Sequence, residues 1–386
     1  MAETGVVVMN DWTSLAHGWS GVLVAALAGF VAGRLLTASV GRWLREPVPL
    51  QRLSDLLWVA VAVGLWWWEV HAGGLTPRSA DGVAFPMAPV ALLARWGSHL
   101  VFFVLLAAAT WIDMRHRVIP DWITVTGVLL GLAVAWLLPE PFLPIGFEIE
   151  RSFASPLVVP DLLAAFGGLR SVPAPSWLGG SPHVAGGLLV AGIYGGWWLF
   201  CSAPFVEAED GRRPSPITEP RTLILVFGLS ALAAAWFVGG QRFDAVRSSL
   251  IGLTVSAVLV WAIREGASRA MGREAMGFGD VTLMAMIGAW LGWQPSVLIF
   301  FMATFIGLTH GLIGLVLHRD NELPYGPSLC LAAVLVVIAW RPLWERVHDA
   351  FADPLLLAIV LVIVVVLTAV ALAVWQWVRG EGSGTA

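Results

Sequence analysis

Repeated runs of about 20 apolar residues constrain the fold of this chain more than any other feature of its sequence. A helix of that length crosses a bilayer, and in lipid only helices and closed barrels satisfy every backbone polar group. Of the 386 residues, 58% are hydrophobic and 12% are charged, far from the composition of a soluble domain. The sequence therefore predicts an all-α polytopic membrane protein with about 10–11 transmembrane helices.

The charges between the apolar runs predict how the chain is oriented. Residues 45–52 and 113–121 form short loops with two arginines each, and such loops belong on the cytoplasmic side. Residues 139–182 carry four acidic and two basic side chains, which fits the outer side. Counting the runs from these loops predicts an N-terminus outside the membrane and a C-terminus inside.

The positions of the runs and loops divide the chain into four predicted parts. Residues 1–138 hold the N-terminal helices, and residues 139–240 form an inserted outer loop with two extra spans. Residues 241–340 begin with a predicted turn at 241–244 and form a core around the candidate loop described below. Residues 341–386 add one further span, at 354–378, and a tail.

Charge and the rare polar residues argue against several kinds of site. The net charge of −4 argues against nucleic acid, which requires a basic face. The two cysteines, Cys201 and Cys330, lie far apart in apolar runs, so no disulfide framework or thiolate zinc site is predicted. His99 and His310 also lie inside apolar runs, which favours hydrogen-bonded core residues, and no metal is expected.

The segment Gly277-Phe278-Gly279-Asp280, called the candidate loop below, is the first candidate site. Glycines on both sides of an aromatic residue allow backbone angles that other residues avoid, and they permit close approach. Asp280 then opens an apolar run, and an ionisable group at the edge of a membrane helix indicates a functional site. Aspartate is also a good N-cap. On this segment alone, a capping role and a functional role both remain open.

Asp113 supplies a second carboxylate at the predicted cytoplasmic face. It closes the third apolar run, whereas Asp280 opens the eighth, and the count of runs places both at the same side of the membrane. Two carboxylates a few ångströms apart share one proton and titrate as a unit, as in aspartic proteases. Standing alone, Asp113 is also explained as the aqueous end of a span.

Charged neighbours of the two carboxylates have alternative interpretations. Arg115 and Arg117 are candidates for substrate contact or determinants of topology. Glu274, in the loop before Gly277, is a candidate substrate contact or a solvated loop residue. Asp121 follows a proline at a predicted helix start, which favours a cap over a catalytic role.

Two motifs together resemble those of the type IV prepilin leader peptidases, polytopic aspartic proteases of the GxGD class. Residues 112–121, Ile-Asp-Met-Arg-His-Arg-Val-Ile-Pro-Asp, are similar to the family's first motif. Residues 272–283 are similar to its second, which reads nearly as Gly-Arg-Glu-Ala-Met-Gly-x-Gly-Asp. Further similarity lies at residues 288–293 and 323–327, so the specific resemblance covers residues 90–138 and 245–335.

The resemblance implies a catalytic pair, Asp113 and Asp280, with Gly277 and Gly279 shaping the loop around Phe278. It implies cleavage of the short basic leaders of prepilins and pseudopilins, the substrates of type IV pilus and type II secretion systems, at the cytoplasmic face of the bacterial inner membrane. Such substrates carry a glycine before the scissile bond and an apolar segment after it. Membrane lipid is the other implied partner, and the oligomeric state stays open.

The chain departs from the family pattern in three places. The family usually carries a cytoplasmic domain with two C-x-x-C pairs after its first span, linked to methylation with S-adenosylmethionine. Residues 45–52 stand there instead, without cysteine, so peptidase activity without methylation is expected and S-adenosylmethionine is in doubt. Thr282 stands where the family commonly has lysine and is a further candidate for substrate contact. Residues 139–240 separate the two motifs more widely than usual.

Two other classes of function remain as alternatives. A degenerate relative that acts as a membrane scaffold in a pilus or secretion assembly would not need the carboxylates, whereas this sequence retains both. A transporter with a carboxylate pair would place the pair near the membrane midplane rather than at its edge.

Overall fold

The computed structural model describes residues 18–45, 51–75, 89–138, 143, 184–202, 220–272, 274, 276–316, 324–352, 359 and 362. Within these ranges the regular structure is entirely helical. The helices are α1 (Trp19–Leu44), α2 (Gln51–Trp66) with a π-helical extension (Trp67–His71), α3 (Pro89–His116), α4 (Asp121–Leu137), α5 (Val184–Ser202), α6 (Pro220–Val238), α7 (Gly240–Met271), α8 (Phe278–Leu291), α9 (Trp293–Val316), α10 (Gly326–Ile338) and α11 (Trp340–Ala352).

The predicted class, an all-α polytopic membrane protein, is confirmed. Four described helices are long and apolar enough to cross a membrane, or five if the bent pair α10 and α11 counts as one span. The predicted number of spans, about 10–11, is larger. Four more apolar helices are present but short: Asp121–Leu137, Val184–Phe200, Thr222–Val238 and Phe278–Leu291. The predicted span at 354–378 and the outer loop at 139–182 lie outside the described residues, apart from Leu143, Ile359 and Val362.

The turn predicted at residues 241–244 is wrong, because helix α7 already begins at Gly240. The break between α6 and α7 lies at Gly239 and Gly240, whose φ angles are 64° and 68°. Only glycine adopts such angles at little cost. Helix α7 therefore extends from Gly240 to Met271 and ends six residues before Gly277.

Sequence inspection missed helix α11. The chain bends by 87° after α10. Trp340 at the start of α11 is buried and stacks on Trp344 of the same helix, with ring centres 5.1 Å apart. Phe351 of α11 lies 5.5 Å from Trp293 at the start of α9. No helix was predicted there because charged side chains such as Arg341 interrupt the apolar run, although the apolar residues follow a helical period.

Helix α8 lies at the centre of the core, and its residues from Asp280 to Leu291 are all buried. It crosses α7 where two glycines meet, because a Cβ at Gly288 would collide with the carbonyl oxygen of Gly252. On its other side, Trp290 Nε1 donates a hydrogen bond of 2.8 Å to the carbonyl oxygen of Gly127 in α4. These contacts fix α8, and with it the carboxylate at its first turn.

A buried polar cluster joins α2 and α3 at the end of α3 away from Asp113. His99 Nδ1 lies 2.6 Å from Glu69 Oε1, and Arg95 Nε lies 3.7 Å from Glu69 Oε2. The prediction that His99 is a hydrogen-bonded core residue is confirmed. The same prediction for His310 is wrong, because the side chain of His310 is exposed near the end of α9.

Candidate active site

Asp113 lies in the last turn of α3, and its side chain is buried. The helix ends three residues later, at His116, where Arg117 adopts a left-handed φ of 55°. The backbone N–H of Arg117 donates a 2.8 Å hydrogen bond to the carbonyl oxygen of Asp113. Asp113 is thus held in the last closed turn of an apolar helix.

Asp280 lies in the first turn of α8 and is also buried. The N-cap of this helix is Gly277, in extended conformation, and no side-chain capping bond is formed there among the described residues. The capping interpretation of Asp280 is therefore wrong. The carboxylate is free for another role, at a helix end whose dipole attracts negative charge.

The fold brings the two carboxylates into one site. Asp113 and Asp280 lie close enough to interact electrostatically. The first residue of α10 completes the site, because the backbone N–H of Gly326 donates a hydrogen bond to the carboxylate of Asp113. A Cβ at Gly326 would collide with Asp113 Oδ2 and would lie 3.0 Å from Ile119 Cδ1. Only glycine leaves room for the carboxylate at this position.

The two glycines of the candidate loop do not adopt the unusual backbone angles that the sequence suggested. Gly277 has an ordinary φ of −65°, and a Cβ there would come no closer than 3.9 Å to Asp280 Oδ2. Gly279 is helical but tightly packed, since a Cβ would lie 3.0 Å from Ile119 Cβ. The left-handed residue is Gly272, with a φ of 62°, at the end of α7. Close approach is therefore the reason for glycine at Gly279.

Two side chains that the sequence analysis did not select, Tyr325 and Cys330, lie within electrostatic range of Asp280, and each is hydrogen-bonded to a threonine. The hydroxyl of Tyr325 lies 3.3 Å from Thr304 Oγ1. Burial, with a smaller contribution from the negative charge of Asp280, raises the pKa of Tyr325 to about 12, so the phenol stays a proton donor. Cys330, bonded to Thr110, lies within electrostatic range of both carboxylates. The Pro-Tyr-Gly-Pro segment at 324–327 was the sequence feature that could have indicated Tyr325 as a site residue.

Comparison with known proteins gives the same two regions. Residues 100–169 and 218–312 match the model of the type IV leader peptidase family, and Asp113 and Asp280 each lie in one of these segments. The chain matches the type IV leader peptidase family. The resemblance predicted from the two motifs is confirmed.

The relatives of this leader peptidase-like chain are bacterial proteins named prepilin leader peptidase/N-methyltransferase. That of Aeromonas hydrophila is 31% identical over 145 residues, which are 36% of this chain and 47% of the relative. That of Pseudomonas aeruginosa is 27% identical over 158 residues, 40% of this chain and 51% of the relative. The chain thus spans about half the length of these curated relatives. No solved structure matches it significantly.

The remaining residues predicted for the candidate active site are Arg115, Arg117, Glu274 and Thr282. Arg115 and Arg117 are exposed, and the guanidinium of Arg115 lies 6.0 Å from the centre of the Trp111 ring. Glu274 is exposed and pairs with Arg264 of α7. Thr282 is buried, and its hydroxyl donates a 3.0 Å hydrogen bond to the carbonyl oxygen of Gly279.

These positions separate the predicted residues into two groups. The structure brings Asp113, Asp280 and Gly279 together around Ile119. Arg264 Nε also donates to the carbonyl oxygen of Met276, at 2.9 Å, so its pairing with Glu274 secures the loop before α8. Thr282 likewise stabilises the start of α8, while the arginines stay at the surface.

An apolar groove with a volume of about 680 Å³ runs beside the pair, between α2, α3 and α10. Thr110 and Cys330 line its inner wall, and Arg115 is the charged residue in its lining. Because Cys330 is in electrostatic range of both carboxylates, the groove reaches the neighbourhood of the candidate active site. The other lining residues include Trp58, Phe103, Ala107 and Leu331.

Proposed function

We propose that this chain is an aspartic endopeptidase that cleaves the basic leader of prepilins or pseudopilins at the cytoplasmic face of the bacterial inner membrane. The observation that carries the proposal is the buried, electrostatically coupled pair Asp113 and Asp280. Each lies at the end of an apolar helix. The names of the relatives support the substrate class.

The pair supplies both the base and the acid that peptide hydrolysis requires. Two neighbouring carboxylates hold one proton between them. The ionised member takes a proton from a water molecule, and the oxygen of that water attacks the scissile carbonyl carbon. The protonated member donates to the developing oxyanion. The C–N bond then breaks as the first carboxyl passes the water-derived proton to the leaving amine, and the second carboxylate takes a proton back from the diol. The Gly326 N–H holds the carboxylate of Asp113 in place for these steps.

Position in the helices argues against transport by the same pair. Asp113 lies three residues before the end of α3, and Asp280 is the third residue of α8. Carboxylates in a transport pathway lie near the middle of the membrane. Helix ends suit a reaction whose water and basic leader come from the aqueous side.

We also propose that the product is not methylated. The relatives are named as both leader peptidases and N-methyltransferases, but the segment between α1 and α2, at residues 45–50, has no cysteine. A short segment of this kind has no room for a cysteine-rich domain, and we propose that proteolysis proceeds without S-adenosylmethionine.

Co-expression with a candidate prepilin in a host that lacks its own prepilin peptidase tests both proposals. We expect intact mass spectrometry of the pilin to show an N-terminus directly after the glycine of the leader, without an added methyl group. Unprocessed prepilin beside well-expressed protein in the membrane would contradict the peptidase proposal and favour a scaffold. A methylated mature pilin would contradict the second proposal alone.

The groove between α2, α3 and α10 offers a place for the apolar segment that follows the scissile bond. A substrate whose peptide bond lies at Asp113 and Asp280 must continue on the membrane side, and the groove begins there, at Cys330. Its lining is almost entirely apolar. Burial of apolar side chains in it would add to substrate binding.

Ala107→Trp should fill this groove and raise KM for a full-length prepilin about tenfold, which corresponds to about 1.4 kcal/mol of lost binding. A soluble leader peptide that lacks the apolar segment should be cleaved as by the wild type. The control is Ala133→Trp, at an exposed position of α4. Equal KM values for Ala107→Trp and the control would rule out the groove as the binding site.

A further inference from the structure

Helix α5 lies outside the two segments that match the family model, but it contacts the candidate loop. The matched residues are 100–169 and 218–312, and α5 covers Val184–Ser202 between them. Near its end, the ring of Phe200 lies 5.2 Å from the ring of Phe278, with 49° between the ring planes. Such an offset arrangement is favourable for two aromatic rings.

Phe278 is the first residue of α8, two residues before Asp280. With 3.6 residues per helical turn, two residues lie about 200° apart around the helix axis. Phe278 therefore leaves α8 on the side opposite to the carboxylate pair. Phe200 therefore contacts the face of α8 opposite to the one on which a substrate would meet Asp280.

Among the described residues, two side-chain hydrogen bonds also support the start of α8. Arg264 of α7 holds the preceding loop through the carbonyl oxygen of Met276, and the Thr282 hydroxyl bonds within the first turn. Both rings of the aromatic pair are partly exposed, so the contact is not buried in the core. The contact between Phe200 and Phe278 supports only the candidate loop, so its removal should leave the packing of the helices intact.

We infer that Phe200 is a positioning residue, which holds Phe278 and so fixes the carboxylate of Asp280 against Asp113. The inference rests on the proposed peptidase function. A small displacement of a reacting group lowers kcat far more than it lowers substrate binding. The inserted helix α5 thereby becomes part of the catalytic support of this chain.

Kinetics of purified variants in liposomes, with a prepilin as substrate, tests the inference. Phe200→Ala should lower kcat about threefold to tenfold with KM unchanged, whereas Phe200→Tyr should keep the wild-type kcat. Phe278→Ala and the double variant should lose the same amount, because the two rings act as one contact. The matched control is Phe227→Ala, at an exposed position of α6.

A wild-type kcat for Phe200→Ala would overturn the inference, as would an equal loss in Phe227→Ala or a change confined to KM. Phe200→Leu serves if the alanine variant does not reach the membrane. Leucine keeps apolar volume without a ring and should fall between alanine and tyrosine, and a wild-type kcat would again overturn the inference. Absence of cleavage by the wild-type protein would contradict the proposed function instead.

Discussion

Asp113→Asn and Asp280→Asn should each abolish leader cleavage, with kcat lowered about 10³-fold or more. Asparagine keeps the shape of the side chain but cannot exchange a proton, so the pair loses either its base or its acid. Both side chains are buried, and a neutral amide is easier to bury than a charge. We therefore expect each variant to reach the membrane in normal amounts.

The matched control is Asp121→Asn, at the exposed first residue of α4 and inside the same motif as Asp113. It should retain near wild-type kcat, because its side chain lies at a helix start and its loss removes only a favourable interaction with the helix dipole. Cleavage of a purified, liposome-embedded prepilin is the measurement. Substantial turnover by either variant of the pair would contradict the catalytic assignment.

Gly326→Ala should lower kcat about a hundredfold, the effect of a misplacement of about 1 Å in an active site. A methyl group at this position collides with Asp113 Oδ2 and crowds Ile119. The carboxylate must move, and the hydrogen bond from the Gly326 N–H is strained or lost. Because Gly326 is the first residue of α10 and not in its middle, the helix itself should tolerate alanine.

Gly97→Ala provides the control for this prediction. Gly97 lies in α3, the same helix as Asp113, and a Cβ there meets nothing within 4 Å. Its kcat and its thermal stability in detergent should match those of the wild type. A Gly326→Ala variant with wild-type kcat would show that the position of the Asp113 carboxylate does not depend on α10.

Much of the architecture follows from local sequence. Apolar runs long enough to span a bilayer predict helices, and arginines in short loops predict which loops share a side. These two rules place Asp113 and Asp280 at helix ends on the same side, and the structure has them in one site. A membrane limits the possible arrangements so strongly that helix direction alone almost decides which ends meet.

Contacts between distant segments could not be predicted in this way. Nothing local indicates that the N–H of Gly326 points at Asp113, or that Phe200 of an inserted helix meets Phe278. The same applies to the glycines of the candidate loop, where packing against Ile119, and not backbone angle, explains Gly279. Helix α11 was missed because its charges broke the apolar run on which span prediction relies.

The pH dependence of kcat/KM for wild-type leader cleavage tests the central claim, a pair of carboxylates that acts with one shared proton, most directly. Cleavage requires one ionised and one protonated member, so the rate should fall at low pH, where both are protonated, and at high pH, where both are ionised. We predict a bell-shaped profile with both limbs. A rate that rises with pH to a plateau would indicate a single base and would contradict the paired mechanism.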